Sequence, residues 1–336
     1  MNDEIVKDII EDKTNDEIVK DIIEDKINDE INDEINDEIV KDIIGEQEIM
    51  KDIINNEKKK IKNIVLSGGS IRGLAHIGAL KKLNEMDLFD VRELKSLAGT
   101  SVGSLMGIFI VLGFSIDEIW DFIMKIDFKK LISPNIWNLV KIFGIDDGSE
   151  LENIVEKILH LKTGIEKINF QKLYDLTGII YTVTGSCITT KECIYFNKDN
   201  TPEFIVSKAI RISISMPGLF SPIIIDNKTY IDGAIINNYP MDLFENDLEN
   251  TLGLLIFDKY DTDYTYFEQY PLAIINLFLH NHFKTIINKY ERNTIAITEN
   301  VSEISSFNFD IDNKIKLKLF DAGYKSVENF YKNFKC

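Results

Sequence analysis

The stretch that most constrains the fold is Leu97-Ala98-Gly99-Thr100-Ser101-Val102-Gly103-Ser104-Leu105. It reads as a short apolar strand, a tight turn and an apolar helix, with Gly-x-Ser-x-Gly at the turn, the pattern of a nucleophile elbow. The chain must reverse there so sharply that the Ser101 backbone is strained. Gly99 and Gly103 keep Cβ atoms out of the contact between the adjoining strand and helix. The product is a serine hydroxyl held out of the turn near the positive end of a helix. Gly-x-Ser-x-Gly also arises by chance, so its neighbours decide its meaning.

Upstream, Asn63–Leu66 is a short apolar strand. Ser67-Gly68-Gly69-Ser70-Ile71-Arg72-Gly73 follows it, and then a helical run with Leu74, Ile77, Leu80 and Leu83 on one side. Free N–H groups at a strand–loop–helix junction bind anions. A nucleotide phosphate loop is one reading, but Gly-x-Gly-x-x-Gly fails at Ser70, and the Gly-Lys-Ser/Thr ending is absent. An oxyanion hole is the better one, with the N–H groups of Gly68, Gly69 and Ser70 facing an ester carbonyl attacked by Ser101. One such donor is typically worth ~3–4 kcal/mol in the transition state.

Downstream, Pro202–Ile214 reads as a helix that stops before Met216-Pro217. The Asp226-Asn227 pair between β-rich runs signals a hairpin. Asp232-Gly233-Ala234 lies just after its second strand, ahead of Asn237-Asn238-Tyr239-Pro240. Asp-Gly is most often a plain turn. A carboxylate between a strand and a glycine can also be aimed back into a pocket. Of the four histidines, His280 and His282 follow Asp232 as a Ser-Asp-His order requires, but in a run that reads as a packed amphipathic helix. His76 and His160 read as structural.

These three stretches together resemble the patatin-like phospholipase family. Leu66–Gly78 looks like its glycine-rich oxyanion loop, Gly99–Gly103 its serine elbow and Asp232-Gly233-Ala234 its Asp-Gly-Gly/Ala motif. The resemblance spans roughly residues 62–260. It implies a three-layer αβα fold with a mainly parallel sheet. It also implies a lipid acyl hydrolase of phospholipase A type that works with a Ser–Asp dyad and without calcium. Carried onto this chain, Ser101 is the nucleophile and Asp232 the general base. Gly68, Gly69, Ser70, Arg72 and Gly73 form the oxyanion loop, with Arg72 steadying it or meeting a lipid phosphate. The substrate would be a phospholipid or acylglycerol at a membrane or droplet surface. One departure stands out: Ser70 replaces the family's third glycine. A negative φ there leaves the hole intact, whereas a positive φ brings strain. The rival reading keeps the fold without catalysis, as an interaction protein.

Charge separates the ends of the chain. Residues 1–57 hold 21 acidic residues and 6 lysines, a net −15 of the total −18, which leaves −3 for the remainder. Asn-Asp-Glu-Ile recurs at positions 2, 15, 28, 32 and 36, and Asn2–Lys13 repeats identically as Asn15–Lys26. Ile5, Ile9 and Ile10 keep helical spacing, so this segment is an amphipathic acidic helix or a partly disordered repeat. It would be repelled by anionic lipid, and self-association or a protein partner suits it better. Residues 58–62 read as a linker and 63–335 as the acyl hydrolase domain. No basic stripe suggests nucleic acid, and no ligand cluster implies a metal or other cofactor. The acidic start is not a signal peptide, and the longest apolar run, Leu105–Phe114, is about half a membrane span. An intracellular, cytoplasmic or peripheral membrane setting is expected.

In the middle, Ser115 and Glu118 form a capping-box pattern, and Ile179–Thr184 and Glu192–Phe196 read as neighbouring strands. Ser133–Gly144 holds Ile136, Trp137, Leu139, Val140 and Phe143 in a short amphipathic stretch. It reads either as ordinary helix packing or as an interfacial flap over the site. At the C-terminal end, Ile315–Phe334 reads as a helix that Gly323 could break.

Overall fold

The computed structural model describes residues 60–257, 286–298 and 309–333. In chain order come β1 (Asn63–Leu66), α1 (Ala75–Glu85), β2 (Ser96–Thr100), α2 (Val102–Val111), α3 (Ile116–Lys125), α4 (Ile136–Ile142), β3 (Gly144–Asp146), α5 (Ser149–Thr163), α6 (Phe170–Thr177), β4 (Ile180–Cys187), β5 (Glu192–Phe196), α7 (Val206–Ser213), β6 (Gly218–Phe220), β7 (Ile223–Ile225), β8 (Lys228–Asp232), α8 (Ala234–Asn237), β9 (Thr251–Ile256), β10 (Thr294–Ile297) and α9 (Asn313–Asn333). The acidic repeat and the run holding His280 and His282 lie outside the described residues.

Five strands, β10-β9-β1-β2-β4, pair parallel in that spatial order. Parallel strands need covering on both faces, and β1 shows how. Ile64 and Leu66 point into a core that also holds Leu74, Leu80, Leu97, Ile110 and Leu319. Val65 points the other way, to Ala98, Tyr239, Met241, Leu255 and Tyr290. The three-layer α/β architecture therefore follows from the unbroken apolar runs of β1 and β9. Packing begins slightly ahead of β1. Ile61 is buried and its N–H donates to Leu88 O, inside the stretch read as linker.

The antiparallel strands sit at β4. Val183 and Thr184 pair with Gly99 and Thr100 of β2 on one side and with Phe196 and Tyr195 of β5 on the other. At Gly185 the β5 side continues with Ile194, while Asp232 of β8 takes the side that β2 has just vacated. Strands β2 and β8 thus meet end to end along one edge of β4. That junction sets Thr100 and Asp232 opposite consecutive residues. The β7–β8 hairpin turns at Asp226 and Asn227, both with positive φ (50° and 59°), as a tight turn matched to strand twist requires.

Three local expectations change. The helix expected from Pro202 starts at Val206, because the carbonyls of Pro202 and Phe204 instead accept N–H groups from the first turn of α6. Gly323 does not break α9. A Cβ there would collide with Ala75 O, so the missing side chain lets α9 lie directly on α1, where Gly78 makes the reciprocal approach to Phe320 O. Helix α4 leaves most of its apolar side chains outside. Asn138 and Ile142 are half-buried, while Ile136, Trp137, Leu139 and Val140, with Phe143 just beyond, face solvent. Trp137 is 72% and Val140 79% exposed, so ordinary packing does not describe it. The capping box of α3 forms as read, with Glu118 N–H donating to Ser115 Oγ and Ser115 N–H to Glu118 Oε2. No described helix is long and apolar enough to cross a membrane.

Candidate active site

Ser101 follows β2 with φ 53° and ψ −124°, a strained backbone for any residue with a side chain. The strain persists because the surroundings demand the turn. A Cβ on Gly103 would collide with Leu66 O, and one on Gly99 would lie 2.6 Å from Gly103 O. Strand β1 and helix α2 therefore touch backbone to backbone. Ser101 N–H donates to Ser213 Oγ at 2.8 Å, which locks the elbow from the α7 side.

The end-to-end meeting of β2 and β8 brings Asp232 to Ser101. Ser101 Oγ–H donates to Asp232 Oδ2 at 2.8 Å. The other carboxylate oxygen accepts Ala234 N–H at 2.8 Å, and Asp232 N–H donates to Ser215 O at 3.0 Å. Gly233 is pressed against Thr184 O, closer than a Cβ would allow. Asp232 is 0% and Ser101 9% exposed. Burial pushes the Asp232 carboxyl up from 3.8 to about 7, against the pull of the Ala234 N–H and the Ser101 hydroxyl. A carboxylic acid is an ordinary weak base near its reference value of about 3.9. Lifted to about 7 it is matched to proton transfer at neutral pH.

The glycine-rich loop faces the dyad and shares out its donors unevenly. Gly68 N–H donates to Asn238 O at 3.2 Å and Arg72 N–H to Gly69 O at 3.2 Å. Neither is free, which corrects the expectation that Gly68 supplies a donor. The N–H groups of Gly69 and Ser70 have no acceptor among the described residues and sit at a partly open surface. Gly73 packs on the Val102 side chain, locking loop to elbow. Ser70 has φ 52°, so the substitution of the third glycine does carry backbone strain.

Two side chains hold the loop from behind. Ser67 Oγ accepts Ile256 N–H at 2.9 Å, tying the loop to the end of β9. His76 Nε2 donates to Ser67 O at 2.9 Å; a carbonyl only accepts, so Nε2 carries the proton. Full burial lowers the His76 pKa to about 4, so the ring is neutral at pH 7. It is a structural histidine. His160 is exposed on α5, away from these contacts.

Sequence reasoning gave no role to Ser213, Ser215, Arg211 or Asn238. Arg211 is 1% exposed and donates to Ser215 Oγ, Asp147 O and Ser221 O. It clasps the segment whose Ser215 carbonyl holds Asp232. The signal was Ser213-x-Ser215-x-Pro217, visible as a pattern but silent about which backbone groups it would meet.

Comparison with known proteins gives concordant results. The patatin-like phospholipase family model matches residues 64–245. An uncharacterized protein of Acanthamoeba polyphaga mimivirus is 32% identical over 284 residues, covering 81% of this chain and 94% of that protein. A probable lipid hydrolase of Invertebrate iridescent virus 6 is 31% identical over 193 residues, covering 55% of this chain and 63% of that protein. Among solved structures, VipD from Legionella pneumophila shares the fold with a TM-score of 0.56 at 15% identity, over 82% of this chain and 67% of that one.

Proposed function

The chain belongs to the patatin-like phospholipase family, and from that membership and the site geometry we propose that it hydrolyses carboxylic esters of phospholipids or acylglycerols through an acyl-enzyme on Ser101. The observation that carries this reading is the 2.8 Å contact between a nucleophile on a strained elbow and a buried carboxylate of raised pKa.

In the first half-reaction Ser101 Oγ attacks the ester carbonyl carbon and its proton passes to Asp232 Oδ2. The developing oxyanion lies against the free N–H groups of Gly69 and Ser70. Protonated Asp232 then gives its proton to the departing alcohol. In the second half-reaction water enters and its oxygen attacks the acyl carbon while Asp232 takes its proton; the Ser101 Oγ–C bond then breaks, Asp232 returns the proton to Ser101 Oγ, and the acyl group leaves as a carboxylic acid. Asp232 alternates between base and acid, which a pKa near 7 favours in both directions. Because Asp232 already contacts the hydroxyl directly, the dyad is chemically complete without histidine.

Lipid esters present themselves at surfaces, and α4 supports work at one. Its outward Trp137, Val140 and Phe143 suit the boundary between headgroups and acyl chains. Strand β3 follows α4 directly and pairs with β6, whose approach through Ser215 holds Asp232. The apolar helix is thus mounted on the frame of the dyad.

Labelling with a fluorophosphonate tests the reading. Wild type is expected to label, Ser101→Ala to stay unlabelled and Asp232→Asn to label far more slowly. A folded wild type that stays unlabelled in the presence of lipid micelles would favour the interaction protein instead.

A further inference from the structure

The side chain of Asn238 is a polar group at this site that the dyad leaves without a task. It is 5% exposed, and its Oδ1 is buried with no donor among the described residues. A buried carboxamide without a partner is costly, and such groups call for an explanation. Its position is specific. Asn238 ends α8, and its own carbonyl accepts Gly68 N–H at 3.2 Å, so it is tied to the oxyanion loop. A Cβ on Gly68 would collide with Asn238 Oδ1 and would lie 3.2 Å from Ser101 Cβ. The carboxamide and the root of the nucleophile therefore flank one point beside Gly68. The missing side chain of Gly68 is what lets the amide stand there.

We propose, resting on the hydrolase reading above, that Asn238 is a further catalytic residue whose Nδ2–H donates to the oxyanion formed when Ser101 attacks. A carboxamide carries its donor and acceptor on one planar frame, and turning it about its terminal bond exchanges them without changing its shape. In the resting state no hydrogen bond to a described residue selects between the two orientations. The reaction supplies the selection. The Ser101 Oγ–C bond forms, the hydroxyl proton moves to Asp232, and the carbonyl π pair settles on oxygen. That anion calls the –NH2 to face it, beside the N–H groups of Gly69 and Ser70. Asn238 thereby fills the place that Gly68 leaves when its own N–H is spent on the Asn238 carbonyl. The interaction strengthens only as charge develops, which is what raises kcat rather than ground-state binding.

The test uses the full chain, a soluble short-chain p-nitrophenyl ester, and the variants Asn238→Leu, Asn238→Ala and Asn238→Asp. Loss of one oxyanion donor lowers kcat on the order of 10²–10³-fold, so that drop is expected with KM within about threefold. Melting temperatures of Asn238→Leu and Asn238→Ala should stay close to wild type. Asn238→Asp keeps the shape, and its buried carboxyl holds an O–H donor while protonated and loses it on ionising, so its kcat relative to wild type should fall as pH rises from 5.5 to 8.5; that slope carries the test if the other two unfold. A trifluoromethyl ketone, which forms a stable tetrahedral adduct with serine, should lose affinity by the same factor as kcat/KM. The proposal is overturned if folded Asn238→Leu or Asn238→Ala keeps kcat within about threefold of wild type, if the kcat of Asn238→Asp relative to wild type does not change with pH, if the loss is confined to KM, or if ketone affinity is unchanged. A wild type that hydrolyses no ester would instead bring down the hydrolase reading, and this proposal with it.

Discussion

Replacing Asp232 with asparagine measures what burying this carboxyl costs the fold. The native carboxyl sits at about 7 against an ordinary 3.8, because burial disfavours its charged form. Below 3.8 both native and unfolded chains are protonated, and the group costs nothing. Between 3.8 and about 7 the native state keeps a proton that the unfolded state has lost, so stability falls as pH rises and then levels off. Three units at about 1.4 kcal/mol each make a full cost of about 4 kcal/mol at alkaline pH. About 2 kcal/mol of it develops between pH 5.5 and 8.5, a range that avoids the isoelectric region near 4.7. The carboxamide of the Asp232→Asn variant would keep the hydrogen-bonded shape and never ionise. Urea unfolding of wild type and Asp232→Asn, followed by tryptophan fluorescence at both pH values, should therefore show a stability gap that widens by about 2 kcal/mol in favour of the variant. In melting temperature that is roughly 4–8 °C for a domain of this size. His76, lowered to about 4, adds a slope of the opposite sign below its ordinary 6.5, but it acts equally on both proteins and cancels in the gap. A gap that stays constant across this range would refute the reasoning, since Asp232 would then ionise as an ordinary carboxyl.

Other outcomes follow from the same geometry. The kcat/KM of wild type on a soluble ester should rise with pH through an apparent pKa of about 7, as Asp232 loses its proton, and a profile flat from pH 5.5 to 8.5 would exclude it as the base. Paired replacement Trp137→Ser and Val140→Ser should weaken co-sedimentation with phosphatidylcholine vesicles and slow hydrolysis of vesicle lipid about tenfold or more, leaving the soluble ester unaffected, because roughly 1.5–3 kcal/mol of apolar burial per side chain is lost at the surface alone. Ser70→Gly should relieve the positive φ of the loop and, net of the greater freedom of the unfolded glycine, stabilise by about 0.5 kcal/mol in urea, with kcat within about threefold because the backbone donor remains.

The sequence was legible where structure is local. The elbow, the glycine-rich loop and the Asp-Asn hairpin each require particular residue types within a few positions, because sharp turns and close backbone approaches exclude most side chains. What it did not disclose depends on register between distant segments. Nothing near Asp232 states that it will stand opposite Gly185 just where β2 ends opposite Thr184. A shift of β8 by one residue would turn the carboxylate to the other face of the sheet. Asn238 was equally visible in Asn-Asn-Tyr-Pro, yet its bearing on the reaction arises from a carbonyl that consumes the donor expected of Gly68. The same lesson covers α4. Its spacing shows apolar residues over most of its surface, but spacing cannot tell which of them face inward, and only the structure reveals that Asn138 and Ile142 turn in while Ile136, Trp137, Leu139 and Val140 face solvent. Strained or unsatisfied groups occur elsewhere in the fold too, at Phe143, Lys167 and Lys191 by backbone and at Asn250 by side chain. What sets the candidate site apart is that several kinds meet there: the strained Ser70 and Ser101, the buried Asp232 and the orphaned Asn238 Oδ1 all lie by the carboxyl ends of β1 and β2, where an open α/β sheet places its ligand. A cluster of different local violations at one place in the sheet is what a functional site leads one to expect and what stability alone would remove.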